Sequence, residues 1–158
     1  MRTIGRTLAT VKLGVHKTYE NCRASLRTNG IKVSPWAEDI LEKTPLSQTP
    51  TDVELVKVSV AKLSFKKATR FDCICKRIIK LGFDLCPAEA AIMLRESYKN
   101  QPKGEWLTVV MEAIIDSDED LKVFEVVHGG DGLLLGTFYG DPGRLFAPEA
   151  RFVVARRK

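Results

Sequence analysis

The sequence lacks any apolar run long enough to cross a bilayer. Its longest uninterrupted runs, such as Gly132 to Leu135, are a few residues long, against the roughly 20 that a membrane helix needs. Met1 to Gly14 carries Arg2, Arg6 and Lys12 but no contiguous apolar stretch and no small-residue cleavage pattern. A secretory leader is therefore not expected, and the cytoplasm is the expected compartment. The chain has no Walker loop, no Gly-x-Gly-x-x-Gly and no Gly-x-Ser-x-Gly, so nucleotide cofactors and serine hydrolysis have no motif behind them, and no cofactor is expected. Histidine is scarce: His16 and His128 stand alone, in no metal or triad spacing.

Cysteine is sparse too. Cys22, Cys73, Cys75 and Cys86 read as free thiols, because a chain of this size needs no disulfide to hold a core. Cys73-Ile74-Cys75 with Cys86 further on suggests a metal site, but structural zinc pairs its ligands as Cys-x2-4-Cys and no nearby histidine completes four. No metal is expected. Asp116, Asp118, Glu119 and Asp120 are rich in carboxylates, yet the glycine and glutamate that a calcium loop requires are replaced by Leu121 and Val127. They read as an acidic turn kept in water.

What is present is a chain of 158 residues, 44% hydrophobic, enough for a real core and one domain or a domain with a small N-terminal lobe. The net charge of +5 is uneven. Residues 1–82 hold 16 Lys plus Arg against 7 Asp plus Glu, and residues 83–158 hold 9 against 13. A basic N-terminal half could attract phosphates or an acidic protein, or could pair with the acidic half.

Along the chain, Arg6 to Leu13 alternates as a strand. Thr18 opens a helix that stops at Asn29-Gly30, and Ser34-Pro35 opens another that ends near Lys43. Residues 1–44 form a basic helical segment, and 45–52, with Pro45, Ser47 and Pro50, read as a linker. Residues 53–158 form the main domain. It begins with the β-branched run Val53 to Leu63, followed by amphipathic helices over Thr69 to Leu81 and Pro87 to Lys99. Trp106 to Ile115, Leu121 to Val127, Leu133 to Tyr139 and Arg151 to Ala155 complete it as strands. The expected fold is α+β: the helix pair packed on a four-stranded, largely antiparallel C-terminal sheet. Its core is expected to include Phe71, Ile74, Ile78, Leu94, Trp106, Val109, Phe124, Val126, Leu134 and Phe138.

Leu85-Cys86-Pro87-Ala88-Glu89, Gln101 to Leu107, Met111 to Ile114 with Asp116-Ser117-Asp118, and Asp131-Gly132-Leu133, in this order, resemble an uncharacterised group of small bacterial proteins. The resemblance implies no activity, substrate or cofactor, only that the two halves travel together.

Three functional classes stay open. The first is a non-catalytic interaction or regulatory module, with an unidentified protein partner. The second is a nucleic-acid-binding protein using Arg23, Arg27, Arg70, Lys76, Arg77 and Lys80, since the polar side of the helix from Thr69 could lie along a phosphate backbone. Against it, the next helix carries Glu89 and Glu96 beside Arg95 and Lys99. The third is a small thiol enzyme: Cys86 precedes a first-turn proline, where helix N–H groups stabilise a thiolate, although Leu85 beside it favours plain burial. His128-Gly129-Gly130 resembles an oxyanion loop but has no nucleophile to serve and reads as turn chemistry.

Overall fold

The computed structural model describes residues 5–158, so Arg2 of the basic N-terminal pattern lies outside it. The elements run β1 (Arg6–Leu13), α1 (Tyr19–Thr28), β2 (Lys32–Val33), α2 (Pro35–Glu42), β3 (Thr51–Ser59), a 3-10 turn (Ala61–Leu63), β4 (Thr69–Arg70), α3 (Phe71–Lys80) and β5 (Phe83–Asp84). They continue as α4 (Ala88–Ser97), β6 (Trp106–Val109), β7 (Ile114–Ile115), β8 (Leu121–Gly129), β9 (Gly132–Tyr139), β10 (Leu145–Phe146) and β11 (Arg151–Arg156).

The helix starts follow capping chemistry. The Thr18 side chain accepts from Asn21 N and the Ser34 side chain from Ala37 N, each at 3.1 Å, satisfying donors that the first turn leaves free. Thr69 does not cap α3 as its position suggests. It sits in β4, and the N–H groups of Phe71 and Asp72 donate instead to the carbonyls of Arg144 and Pro142 at 2.9 and 3.0 Å.

The expected four-stranded sheet carrying a helix pair is not what forms. A curled nine-stranded sheet has the order β1-β3-β11-β6-β8-β9-β2, with β5 beside β11 and β7 beside β8. The β8–β9 hairpin and the β6–β8 pairing are antiparallel, as an antiparallel meander requires. The last strand, however, leaves the meander: β11 runs parallel to β6 and antiparallel to β3, and β1 extends the sheet beyond β3. The core is therefore shared by residues on both sides of 45–52. That segment is fastened down, since Ser47 N donates to the Glu89 carboxylate at 2.8 Å.

Nor are the two central helices a pair. Phe71 of α3 packs on Phe146 at 5.7 Å between ring centroids, and Phe146 on Phe138 and Phe152 at 5.4 and 4.9 Å. This cluster belongs to the sheet face that carries Thr108 and Glu125, by the registers Phe152↔Thr108 and Thr108↔Glu125. Lys57 and Val153 alternate with these residues and project to the other face. There α4 packs against β1, β8 and β9, with α1 beyond it. The sheet thus separates α3 from α4.

Because α4 is enclosed by the curl, six of its residues are buried, Glu89 and Arg95 included. Each charge is held by hydrogen bonds to backbone or side-chain amide groups. The Glu89 carboxylate accepts from Gly14 N at 3.0 Å as well as from Ser47 N. Gly14 has φ +78, and a Cβ there would meet Thr49 O at 2.2 Å, so only glycine lets this loop reach the helix.

Of the expected core, Trp106 is the exception: it is 56% exposed. Leu134 and Phe138 are only partly buried. The expected strand Trp106 to Ile115 is broken after Val109, where Val110 N donates to Val153 O, Val110 O accepts from Cys86 N, and the Met111 sulfur accepts from Phe124 N.

Candidate functional site

The basic residues expected to meet nucleic acid do not converge. Arg23 and Arg27 lie on α1, on the α4 side of the sheet, whereas Arg70, Lys76, Arg77 and Lys80 lie on or beside α3, on the opposite side. Several are already engaged. Arg23 pairs with Glu38, and Arg70 forks onto Asp72 at 3.0 and 3.1 Å. The Arg70 fork pulls the Asp72 carboxyl down to about 2. Arg77 donates to Leu63 O and lies 4.3 Å from the centre of the Phe65 ring. Arg27, Lys76 and Lys80 remain exposed.

Cys86 is buried, and its thiol donates to Val153 O at 3.5 Å. Burial pushes its pKa up, the reverse of what a nucleophilic thiolate needs. Neither histidine is bonded to it. His16 Nε2 sits 3.0 Å from the Glu96 carboxylate, and His128 Nδ1 sits 2.6 Å from Gln101 O. Burial also raises the Cys22 thiol to about 12 and the Cys75 thiol to about 11, while Cys73 is exposed. A thiol reagent at neutral pH is therefore expected to modify Cys73 first, with Cys22 and Cys86 reacting only on unfolding. Peptide mapping of the labelled native protein checks this, and early modification of Cys86 would sink it.

The acidic turn is not wholly in water. Asp116 is buried: its Oδ1 accepts from Asp118 N and Asp120 N at 2.9 Å, and its Oδ2 pairs with Lys122 Nζ at 3.0 Å. Lys122 in turn lies between the rings of Trp36 and Tyr139, at 5.7 and 4.8 Å. The Asp116 carboxylate therefore holds the turn together, while Asp118, Glu119 and Asp120 are exposed. No cluster of three metal-ligating side chains occurs among the described residues.

A different set of cations does converge. At one rim of the sheet, on the face that α4 covers elsewhere, the register pairs Arg6 with Lys57 and Ser59 with Arg151. Lys57 and Ser59 are two apart on β3, so all four side chains leave the same face. Lys62, from the 3-10 turn that follows β3, closes the ring around a hollow of about 460 Å³. Gly5 makes the approach possible, since a Cβ there would fall 2.6 Å from Lys57 O.

Behind this hollow stands one carboxylate. Glu105 is 4% exposed; its Oε2 lies 2.8 Å from Lys57 Nζ and 3.8 Å from an Arg151 nitrogen. Burial pushes its pKa up, but the Lys57 ammonium and the Tyr98 hydroxyl outweigh that and hold the carboxyl below its usual range. It stays ionised and neutralises one of four cations. Arg6 and Lys62 have no carboxylate within ion-pair distance among the described residues. The hollow thus carries an excess of positive charge held on a rigid sheet, with the Ser59 hydroxyl as a further donor.

The Glu105 carboxylate is itself positioned from α4. Gln101 Nε2 reaches it at 3.2 Å, and Gln101 Oε1 accepts from the buried Arg95 guanidinium at 2.7 Å. Sequence reasoning missed this set because its members are scattered over β1, β3, the turn and β11, at positions that become neighbours only through strand pairing. The local signal was Lys57 and Ser59, with Glu54, interleaved in an apolar β-branched run. Compared with known protein families, curated proteins and solved structures, the chain matches none.

Proposed function

We propose that the protein is a non-catalytic binding module whose ligand is anionic and is held at the rim hollow formed by Arg6, Lys57, Ser59, Lys62 and Arg151. The observation that carries this reading is the imbalance of charge there: four cations around one hollow, with only the buried Glu105 among the described residues to answer them. An anion entering the hollow relieves repulsion among these side chains and gains charge-assisted hydrogen bonds from guanidinium and ammonium donors. The buried thiol of Cys86 lends the enzyme alternative little weight.

Arg6 and Lys62 are the residues to test, because removing them leaves Glu105 paired and the core untouched. The double variant Arg6→Ala/Lys62→Ala is expected to bind inorganic triphosphate at least tenfold more weakly than the wild type at low ionic strength, with an unchanged unfolding midpoint. Wild-type affinity should itself fall as salt is raised, because partly exposed charges are screened over about 8 Å at physiological ionic strength. Calorimetric titration measures both. Wild-type protein that takes up no triphosphate at low salt would refute the proposal.

A further inference from the structure

The rim hollow lies at one end of an open sheet edge. β1 is the terminal strand of the order β1-β3-β11-β6-β8-β9-β2, and among the described residues no strand pairs with its outer side. Arg6, Thr7, Thr10 and Lys12 along it are exposed. From Ala9 to Leu13 the strand pairs regularly with Leu55 to Thr51, and between Thr7 and Ala9 the register shifts. This bulge brings Arg6 and Ala9, three apart in the chain, onto one face opposite Lys57 and Leu55, which are two apart. A regular stretch of edge therefore ends beside the cations, with outward N–H and C=O groups that an added strand can bond.

We infer that the ligand is an extended peptide bearing a phosphotyrosine, its main chain added to β1 along Ala9–Leu13 and its phosphate among Arg6, Lys57, Lys62 and Arg151. This rests on the anion-binding reading above and names the class of ligand. A residue opposite Arg6 in the new pairing leaves the same face as Arg6, Lys57, Ser59 and Arg151, so its side chain and the cations stay on one side of the sheet. Length then selects the side chain. The hollow is lined from β1, β3, the 3-10 turn and β11, so its middle lies over β3, two strand intervals from an added strand, on the order of 10 Å. A serine phosphate stops short over β1, whereas the phenyl ring of a tyrosine spans the interval, and a guanidinium such as that of Arg6 stacks on its face. A second copy of this chain fits the edge less well. Its β1 contains no Asp or Glu to offer the hollow, and a bulge in each copy would have to be accommodated at once.

The experiment titrates the full chain calorimetrically with inorganic triphosphate, phenyl phosphate, a single-stranded oligothymidylate and a peptide whose central phosphotyrosine is flanked on both sides by alternating threonine and valine, so that either strand direction can be met. Four relatives of the peptide accompany it: unphosphorylated, phosphoserine in place of phosphotyrosine, and two forms N-methylated at alternate residues in opposite phase. The phosphopeptide is expected to bind on the order of tenfold more tightly than phenyl phosphate, because main-chain hydrogen bonds are added to the same anion contact. The unphosphorylated and phosphoserine forms should be weaker than it by on the order of tenfold. Only one N-methylated phase, the one that removes the donors facing β1, should fall to the level of phenyl phosphate. Amide exchange within Ala9–Leu13 should slow when the phosphopeptide binds, and Arg6→Ala/Lys62→Ala should reduce its affinity to that of the unphosphorylated form.

Phenyl phosphate matching the phosphopeptide, or the two N-methylated phases behaving alike, overturns the strand addition and leaves the anion hollow standing. A phosphoserine form as tight as the phosphotyrosine form overturns the choice of side chain. Oligothymidylate binding more tightly than the phosphopeptide overturns the inference in favour of a nucleic acid, and a dimer in sedimentation that the phosphopeptide does not dissociate overturns it in favour of a second copy. Failure of triphosphate, phenyl phosphate and phosphopeptide alike to bind overturns both readings.

Discussion

Replacing Arg95 by alanine is expected to remove on the order of 3–5 kcal/mol of stability, measured by urea unfolding. The side chain is fully buried inside the curl of the sheet. One terminal nitrogen donates to Gln101 Oε1 at 2.7 Å and to Val127 O at 2.9 Å, and the other donates to Tyr98 O at 2.6 Å. Burial lowers the guanidinium pKa to about 10, so it remains charged at neutral pH. Truncation would strand three buried acceptors and leave a cavity as well. Each unsatisfied group costs about 1–3 kcal/mol, and a void of this size adds to that.

Arg95→Met separates these contributions. It refills the volume without restoring the donors, so it should recover part of the loss. The effect should reach the rim, because Gln101 loses one of its partners and with it some of its hold on Glu105. Triphosphate affinity should therefore fall in Arg95→Met even where the protein is fully folded. A loss below about 1 kcal/mol for Arg95→Ala would mean that water replaces the guanidinium and that the network is not needed.

This network bears on how much of the protein is legible in its sequence. Local chemistry is legible. Thr18 and Ser34 cap their helices, Gly82 with φ +94 lies just past the end of α3, and Gly129 pairs with Gly132 across the tight turn of the β8–β9 hairpin. These features depend only on neighbours in the chain. Strand order does not. The run Val53 to Val60 alternates imperfectly because β3 is an interior strand, bounded by β1 and β11, that buries Val53 and Leu55 on one face and Val56 and Val58 on the other. That same irregularity, read locally, indicates only a half-buried strand.

The buried charges of α4 mislead in a similar way. Glu89 and Arg95 suggest a helix face in solvent, but a helix enclosed by a curled sheet turns them toward loop amides and carbonyls. The rim site was illegible because β1, β3 and β11 bring Arg6, Lys57 and Arg151 together from positions 51 and 94 residues apart in sequence. Charge counted over a half-chain had found an excess of cations, without finding where it lies.

Glu125→Gln is expected to stabilise the protein at pH 8 by on the order of 3 kcal/mol and to have little effect near pH 4.5. Glu125 lies on β8, opposite Thr108 on one side and Gly136 on the other, on the sheet face shared with Phe138 and Phe152. It is 8% exposed, and no ion-pair partner approaches it among the described residues. Burial raises its pKa to about 7, with a hydrogen bond from the Thr108 side chain opposing part of the rise.

In the unfolded chain the same carboxyl titrates near 4.3. Between about 4.3 and 7 the folded protein therefore binds the proton that the unfolded chain has released, and stability falls as pH rises through this window. Above it, the folded state carries an unpaired buried carboxylate, and the full penalty applies. Glutamine has the same shape and no charge, so the variant should lack this slope.

Glu105, Asp72 and Asp116 are held below the usual carboxylate range. Their linkage has the opposite sign, with stability lost as pH falls through their folded pKa values, and it is common to both proteins. The difference between the two stability profiles consequently isolates Glu125. Urea midpoints at pH 5, 6, 7 and 8 should converge at the acid end and separate steadily toward the alkaline end. Parallel profiles would show that Glu125 reaches water in the folded state and titrates as an ordinary surface carboxyl.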